Sequence, residues 1–282
     1  SRSVPAYVSC VLLFTFSLAL SFQAAAASNS MPDELYQGMI KFELESGNHF
    51  NALVLMDEDY AKAHPVDYAS ALNGFNVKGE VFSIIDSVKK QKKVLDPQDI
   101  FNIGKVQYED DQCIPALKSF QKLKNKLSLD DKQKWAFYRA NCFIKLNSNK
   151  KAGQVLTDIL GGVWASYAYY NLAMSYAEGS RDKTKSLVAL RVAESLNQGE
   201  TKEEKSLNDR INLSAGALYL ESGKPDLAIK FFKKVHLDSD SSAHALYLNG
   251  LSHLELGDFR SATQSWFSTK KYSLVIQSAS ES

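Results

Sequence analysis

Proline is scarce in this chain. Six prolines and 14 glycines in 282 residues leave few forced breaks and room for long helices. An excess of charge of one sign is also missing. Lys and Arg total 33 and Asp and Glu total 32, so the balance gives no argument for nucleic acid or for an acidic partner. No catalytic constellation is present. His49, His64, His236, His244 and His253 are spread along the chain, and no His-Glu-x-x-His run exists. His236, His244 and His253 lie nearest one another, but no cysteine or carboxylate stands at ligand spacing. "NSNKK" and the pair at Gly161 read as turns with no strand before them, so no phosphate-cradling loop is expected. "DSDSS" at Asp238 to Ser242 lacks the glycine and closing glutamate of a calcium loop. The expectation is a protein without enzymatic activity, metal or cofactor, and without a nucleic-acid partner.

What the chain does have is repetition, clearest from Asp209 to Trp266. Gly216 to Gly250, Gly223 to Gly257, Ala228 to Ala262 and Phe232 to Trp266 are each separated by 34 residues. Four coincident offsets in that range point to an array of repeats. The first copy also has Leu213, Tyr219 and Val235, and the second Tyr247 and His253. Small residues such as Gly216 and Ala228 belong where two helices approach closely, and Tyr219, Phe232 and Trp266 fill gaps between hairpins. Gly223 ends one helix and Pro225 starts the next. Gly257 repeats the turn, with Asp258 as an N-terminal cap. Each hairpin leaves an apolar face for the next to cover. The 13 tyrosines and 15 phenylalanines suit such wedges.

Weaker copies precede this pair. Tyr36, Leu44, Gly47 and Ala52 keep the relation in which an alanine follows the turn glycine by five residues. A degenerate copy follows, with Gly79 read as the turn and Ile84 in place of alanine. The next has Asp96 as cap, Pro97 at the helix start, Pro115 in the first turn of the second helix, and Gly104, Ala116, Phe120 and Leu123 in position. Ala140, Phe143, Ala152 and Leu156 mark another, and Leu172, Ala173, Tyr176 and Gly179 a further one. Gly179 and Gly223 are 44 residues apart, which implies about ten inserted residues near "LNQGETKEEKSLN", as helix extension or loop.

The N-terminal segment reads differently. Arg2, an apolar core from Val8 to Phe22 and the exit "QAAAASNS" suggest a secretory signal over residues 1–27, cleaved after Ala26 or Ala27. The core is 15 residues, shorter than the roughly 20 a spanning helix needs. Counting the whole uncharged stretch makes an uncleaved anchor the alternative. Cys10 lies before the apolar core, the wrong side for a lipid-modified cysteine. The chain does not start with Met, and residues 272–282 read as the start of a further helix, so a longer parent is one expectation.

These residues resemble the tetratricopeptide repeat family, over roughly residues 32–271 in seven uneven units. Gly216, Tyr219, Ala228 and Phe232 match its small, aromatic, alanine and aromatic positions; so do Gly250, Ala262 and Trp266, with His253 replacing the aromatic. Gly104, Ala116 and Phe120 match, with Gln107 departing, and Ala140, Ala152 and Tyr176 follow the pattern. The resemblance implies an all-α, right-handed superhelical solenoid of antiparallel helix pairs, with first helices lining a concave side that holds a protein or peptide. Candidate binding residues there are Asn102, Tyr138, Asn141, Tyr170, Asn171 and Asn212, although the asparagines also read as ordinary exposed polar residues. The paired lysines of the family's carboxylate clamp do not recur. Lys89, Lys90, Lys92 and Lys93 with Lys118, Lys122, Lys124 and Lys126 read as a patch for an acidic partner or lipid headgroups, or as a solvated face. In the stacking the family shows, Cys113 and Cys142 fall at the same end of the stack, so a disulfide is expected there, with two separate buried thiols as the alternative. The implied function is an interaction scaffold in a bacterial-type envelope, placed in the periplasm or anchored by the N-terminal segment, with membrane association through a partner or an uncleaved leader. The alternative is the N-terminal module of a larger envelope enzyme or transport assembly.

Overall fold

The computed structural model describes residues 32–91, 94–123, 126–157, 161–178 and 182–280. Every regular element among them is a helix. The expected leader, residues 1–27, lies outside these residues. Chain contacts divide the protein into two compact units, residues 1–94 and 95–282.

The first unit holds α1 (Asp33–Glu45), α2 (His49–Leu55), α3 (Glu58–Ala63), α4 (Pro65–Asn73) and α5 (Lys78–Lys90). Tyr36 ties its first hairpin to α3. The phenol donates to the Leu55 carbonyl at 2.6 Å and accepts from the Asp57 amide at 2.9 Å. Buried Tyr60 sits edge-on to Tyr36 and donates to buried Asp67 at 2.8 Å.

The second unit is a row of five hairpins: α6 (Pro97–Glu109) with α7 (Cys113–Gln121), α8 (Leu129–Lys145) with α9 (Asn149–Leu156), α10 (Val163–Glu178) with α11 (Lys183–Leu196), α12 (Lys202–Leu220) with α13 (Pro225–Phe232), and α14 (Ser242–Glu255) with α15 (Phe259–Ser280). Each first helix packs on its own second helix and on the neighbouring first helices of the row, and from α8 onward also on the preceding second helix. Second helices have no comparable contact with one another. The first-helix side is therefore the tighter, inner side of the row. This is an antiparallel helix-pair solenoid of tetratricopeptide type.

One structural register runs through both units. The fourth residue of each second helix is Ala52, Val81, Ala116, Ala152, Ser186, Ala228 or Ala262, and each is at most 1% exposed. Where described, the residue five before it is in the left-handed region: Gly47, Asn76, Asp111, Asn147, Gly223 and Gly257. A backbone turn of this kind is easiest for Gly and tolerable for Asn or Asp. The residue on the first helix that faces the second is Ile40, Ala69, Gly104, Ala140, Ala173, Gly216 or Gly250, and all are buried.

Within the second unit this facing residue matches the large side chain four places after the buried small one. A methyl added to Gly104 would lie 2.4 Å from the Phe120 ring, one on Gly216 2.5 Å from Phe232, and one on Gly250 2.2 Å from Trp266. Where the large residue is Leu156 or Leu190, alanine faces it at Ala140 or Ala173. The pairing is thus Gly with an aromatic ring and Ala with leucine, two ways of filling the same volume.

The degenerate unit needs a new register. Its turn is carried by Asn76, with φ of 59°, while Gly79 lies in the first turn of α5 and Val81, not Ile84, takes the buried small position. Asn in the left-handed region hid the turn, and glycine three residues later drew the reading forward. The ten extra residues are mostly helix: α11 has 14 residues against 8 or 9 in the second helices α7, α9 and α13, and α12 has 19 against 13 to 17 in the other first helices of this unit. Residues 272–280 do not start a new helix. They continue α15, which no glycine or proline interrupts after Trp266.

The expected placement in the periplasm, with anchoring as its alternative, is corrected here. Among the described residues no helix is long and apolar enough to cross a membrane, and the leader that suggested export lies outside them.

Candidate functional site

The inner side of the second unit is built where consecutive first helices touch. Between α6 and α8, Tyr138 meets Phe101 at 6.0 Å and Tyr108 at 5.0 Å, and Lys145 lies 4.7 Å over the Tyr108 ring. Lys145 also pairs with Asp111 in the turn of the preceding hairpin. Between α8 and α10, Asn171 donates to the Asn141 carbonyl oxygen at 2.9 Å. Between α10 and α12, the Arg210 guanidinium sits 4.8 Å over the Tyr170 ring, whose hydroxyl lies 3.4 Å from Ser214.

The six expected binding residues divide on this geometry. Asn102 and Asn171 are half-buried and face outward enough to be touched. Asn102 accepts a long bond from Gln98 at 3.4 Å. Tyr138, Asn141, Tyr170 and Asn212 are between 4% and 9% exposed and cannot offer a partner much area. Tyr138 stacks on Phe120 and is flanked by Trp164, and its burial raises the phenol pKa. Asn212 donates to the Asn208 carbonyl of its own helix at 2.8 Å. Tyr138, Asn141 and Tyr170 join neighbouring first helices, Asn141 by its bond with Asn171 and Tyr170 by its contact with Ser214, while Asn212 is held within its own helix. Burial corrects these four from open contact residues to packing residues of the wall.

Sequence reasoning missed the residues that do lie open beside them. Arg210 and Lys145 are exposed, and Ser214 and Met174 are half-buried. Met174 follows Tyr170 by one helical turn and so shares its face. Tyr247, at the register position of Tyr170, is 50% exposed. No motif marks these positions. Only the register that places the buried small residue shows which neighbours stay open.

Two polar atoms in this wall lack partners. The Asn141 amide nitrogen and the Asn212 amide oxygen are buried without a hydrogen bond. Leaving such groups unpaired costs roughly 1–3 kcal/mol each, so both are tolerated only where packing fixes them.

Of the expected packing residues, Gly104, Ala116, Phe120, Ala140, Ala152, Gly216, Ala228, Phe232, Gly250 and Ala262 are buried, and Tyr176, Tyr219 and Trp266 are half-buried. Tyr219 stacks on Phe231 with centroids 5.3 Å apart. Gln107, at an aromatic position, is buried and accepts from Ser119 at 2.9 Å. Cys113 and Cys142 share the core cluster of α7 and α8, but both are free thiols. The expected bond is therefore absent from this structure. Burial, with a hydrogen bond to Cys113, pushes the Cys142 thiol up and keeps it protonated. Among the described residues no group of three or more His, Cys, Asp or Glu side chains could hold a metal ion.

No family model and no curated protein matches this chain. Solved structures do. A crystal structure of MamA is 17% identical, with 66% of this chain and 99% of that one covered and a TM-score of 0.48. The apo form of the quorum sensor NprR from B. thuringiensis is 12% identical, with 85% and 75% covered and a TM-score of 0.49. BtubC from P. vanneervenii is 12% identical, with 84% and 92% covered and a TM-score of 0.49. The assignment of the fold rests on the hairpin register described above.

Proposed function

We propose that this protein is a non-catalytic scaffold that holds an extended protein or peptide segment along the first-helix side of residues 95–280. The observation that carries the reading is the run of exposed or half-buried polar and apolar side chains where first helices meet: Lys145, Asn171, Met174, Arg210 and Ser214. An extended segment has unpaired backbone donors and acceptors, which amide and hydroxyl groups can meet, while Met174 and Tyr247 supply adaptable apolar contact. Arg210 is already ordered by the Tyr170 ring, so less freedom is lost when it engages a partner. Its fork is suited to a carboxylate on that segment.

The reading is tested by selecting peptides from a random display library on the purified chain and measuring affinity by fluorescence anisotropy. An Asn171→Ala/Ser214→Ala variant is expected to weaken a selected peptide by about tenfold or more while retaining the native circular dichroism and melting curve. Failure to enrich any sequence, or affinity unchanged from that of the unmodified chain in both this variant and Arg210→Ala, contradicts the reading.

A further inference from the structure

The two sides of the 95–280 row differ in charge, although the whole chain is nearly neutral. Within the helix spans, first helices carry eight basic and nine acidic residues, whereas second helices carry ten basic and only two acidic. The imbalance appears only once residues are sorted by helix, and it follows the architecture: every second helix of this unit has at least as many basic as acidic residues. Of the two acids, Glu194 is already paired with Lys234 at 3.0 Å, which leaves Asp226. Lys118, Lys150, Lys151, Arg191, Lys230 and Arg260 are exposed on this side, and none has an ion pair among the described residues.

We propose that this outer, second-helix side is a docking surface for an acidic, extended polypeptide segment. Charge complementarity selects an anionic partner. The geometry selects a flexible one, because the cations stand on helices that do not pack on one another and are each separated by an intervening first helix. A rigid flat surface such as a bilayer meets only part of such a splayed side, whereas a chain can pass from one cation cluster to the next. The residue types point the same way. Four of the six cations are lysines, compact point charges that suit scattered carboxylates. Aromatic platforms interleaved with the cations, as single-stranded nucleic acid uses, are lacking on α7, α9 and α11; strongly exposed rings are Phe259 and Phe267 on α15 alone. Exposed Ile114 and Val188 stand singly, without the continuous apolar face of a membrane-lying helix.

The test uses the full chain and a fluorescein-labelled oligo-glutamate, read by anisotropy at low and at raised salt. Saturable binding is expected, weakening as salt rises. A variant with Lys118→Gln, Lys150→Gln, Lys151→Gln and Lys230→Gln should lose about tenfold or more in affinity. A control with Lys132→Gln, Lys134→Gln, Lys202→Gln and Lys205→Gln, the same number of charges removed from first helices, should lose little. Both variants change side chains on the surface, and unchanged melting curves certify their folds. Equal losses in the two variants, or no saturable binding, overturn the proposal. Tighter binding to phosphatidylserine vesicles or to a single-stranded oligonucleotide than to oligo-glutamate overturns it as well, in favour of that class. Because the probe is acidic and the groove variant Asn171→Ala/Ser214→Ala removes no charge, that variant should bind oligo-glutamate normally, which separates this surface from the inner one.

Discussion

Gly216 sits inside α12, where alanine is ordinarily better by about 1 kcal/mol. Its Cβ would fall 2.5 Å from the Phe232 ring, so overpacking opposes the gain in helix propensity. Gly216→Ala is expected to lower stability by ~1–2 kcal/mol in urea denaturation, the clash outweighing propensity. Adding Phe232→Leu should recover part of that loss, reproducing the Ala173 and Leu190 pairing already present in the chain. Stabilisation by Gly216→Ala alone would show that the ring moves freely and that the pairing has no steric basis. Glycine and aromatic positions were legible from the 34-residue offsets. Ser186 was not, because a hydroxyl at a buried small position looks polar in sequence; in the fold it donates to the Ala173 carbonyl at 2.7 Å. The cysteines make a second residue-scale prediction. Maleimide labelling followed by peptide mapping should modify Cys113 and Cys142 only after unfolding, and recovery of a Cys113–Cys142 linked peptide contradicts the free buried thiols.

Helix ends explain how the chain absorbs irregular spacing. Thr201 accepts from the Glu204 amide at 3.1 Å while the Glu204 carboxylate accepts from the Thr201 amide at 3.1 Å, so α12 starts at a capping box despite the extra residues before it. Asn197 closes the preceding turn by donating to the Glu204 carbonyl at 2.8 Å and to Asn208 at 3.1 Å. Thr201→Ala should cost about 1 kcal/mol, and the same change in a Glu204→Ala background should cost less, since the two bonds are reciprocal. Equal costs in both backgrounds would mean that the box is not formed in solution. At the last turn, Asp258 accepts from the Ser261 amide at 3.1 Å, and bonding to Ser261 with His253 nearby holds its carboxyl below the ordinary 3.8. A depressed folded pKa stabilises the fold above the ordinary carboxylate value and loses that contribution as pH falls through the depressed one. An NMR titration should place the Asp258 midpoint below 3.8. The caps Asp96 and Asp258 were readable from sequence because their residue types and positions coincide. The turns at Asn76, Asp111 and Asn147 were harder to read, since left-handed backbone in a residue other than glycine carries no unique letter.

At the scale of the molecule, repetition made the fold legible and the candidate site only in part. Asn102 and Asn171 stand half-buried on first helices, whereas Tyr138, Asn141, Tyr170 and Asn212, read as open, are covered. The difference arises because helical periodicity gives a residue's direction, while its exposure depends on how closely the next hairpin approaches. Charge behaves in the same way: a nearly neutral composition conceals a balanced inner side and a basic outer one. The central claim is that the first-helix side holds an extended segment. It is tested most directly by replacing Met174, half-open on that side, and separately Val188, 59% exposed on the outer side, with a photo-crosslinking amino acid and irradiating each protein with the library-selected peptide. The account predicts an adduct at position 174 and none at position 188. An adduct at 188 with none at 174 would contradict it.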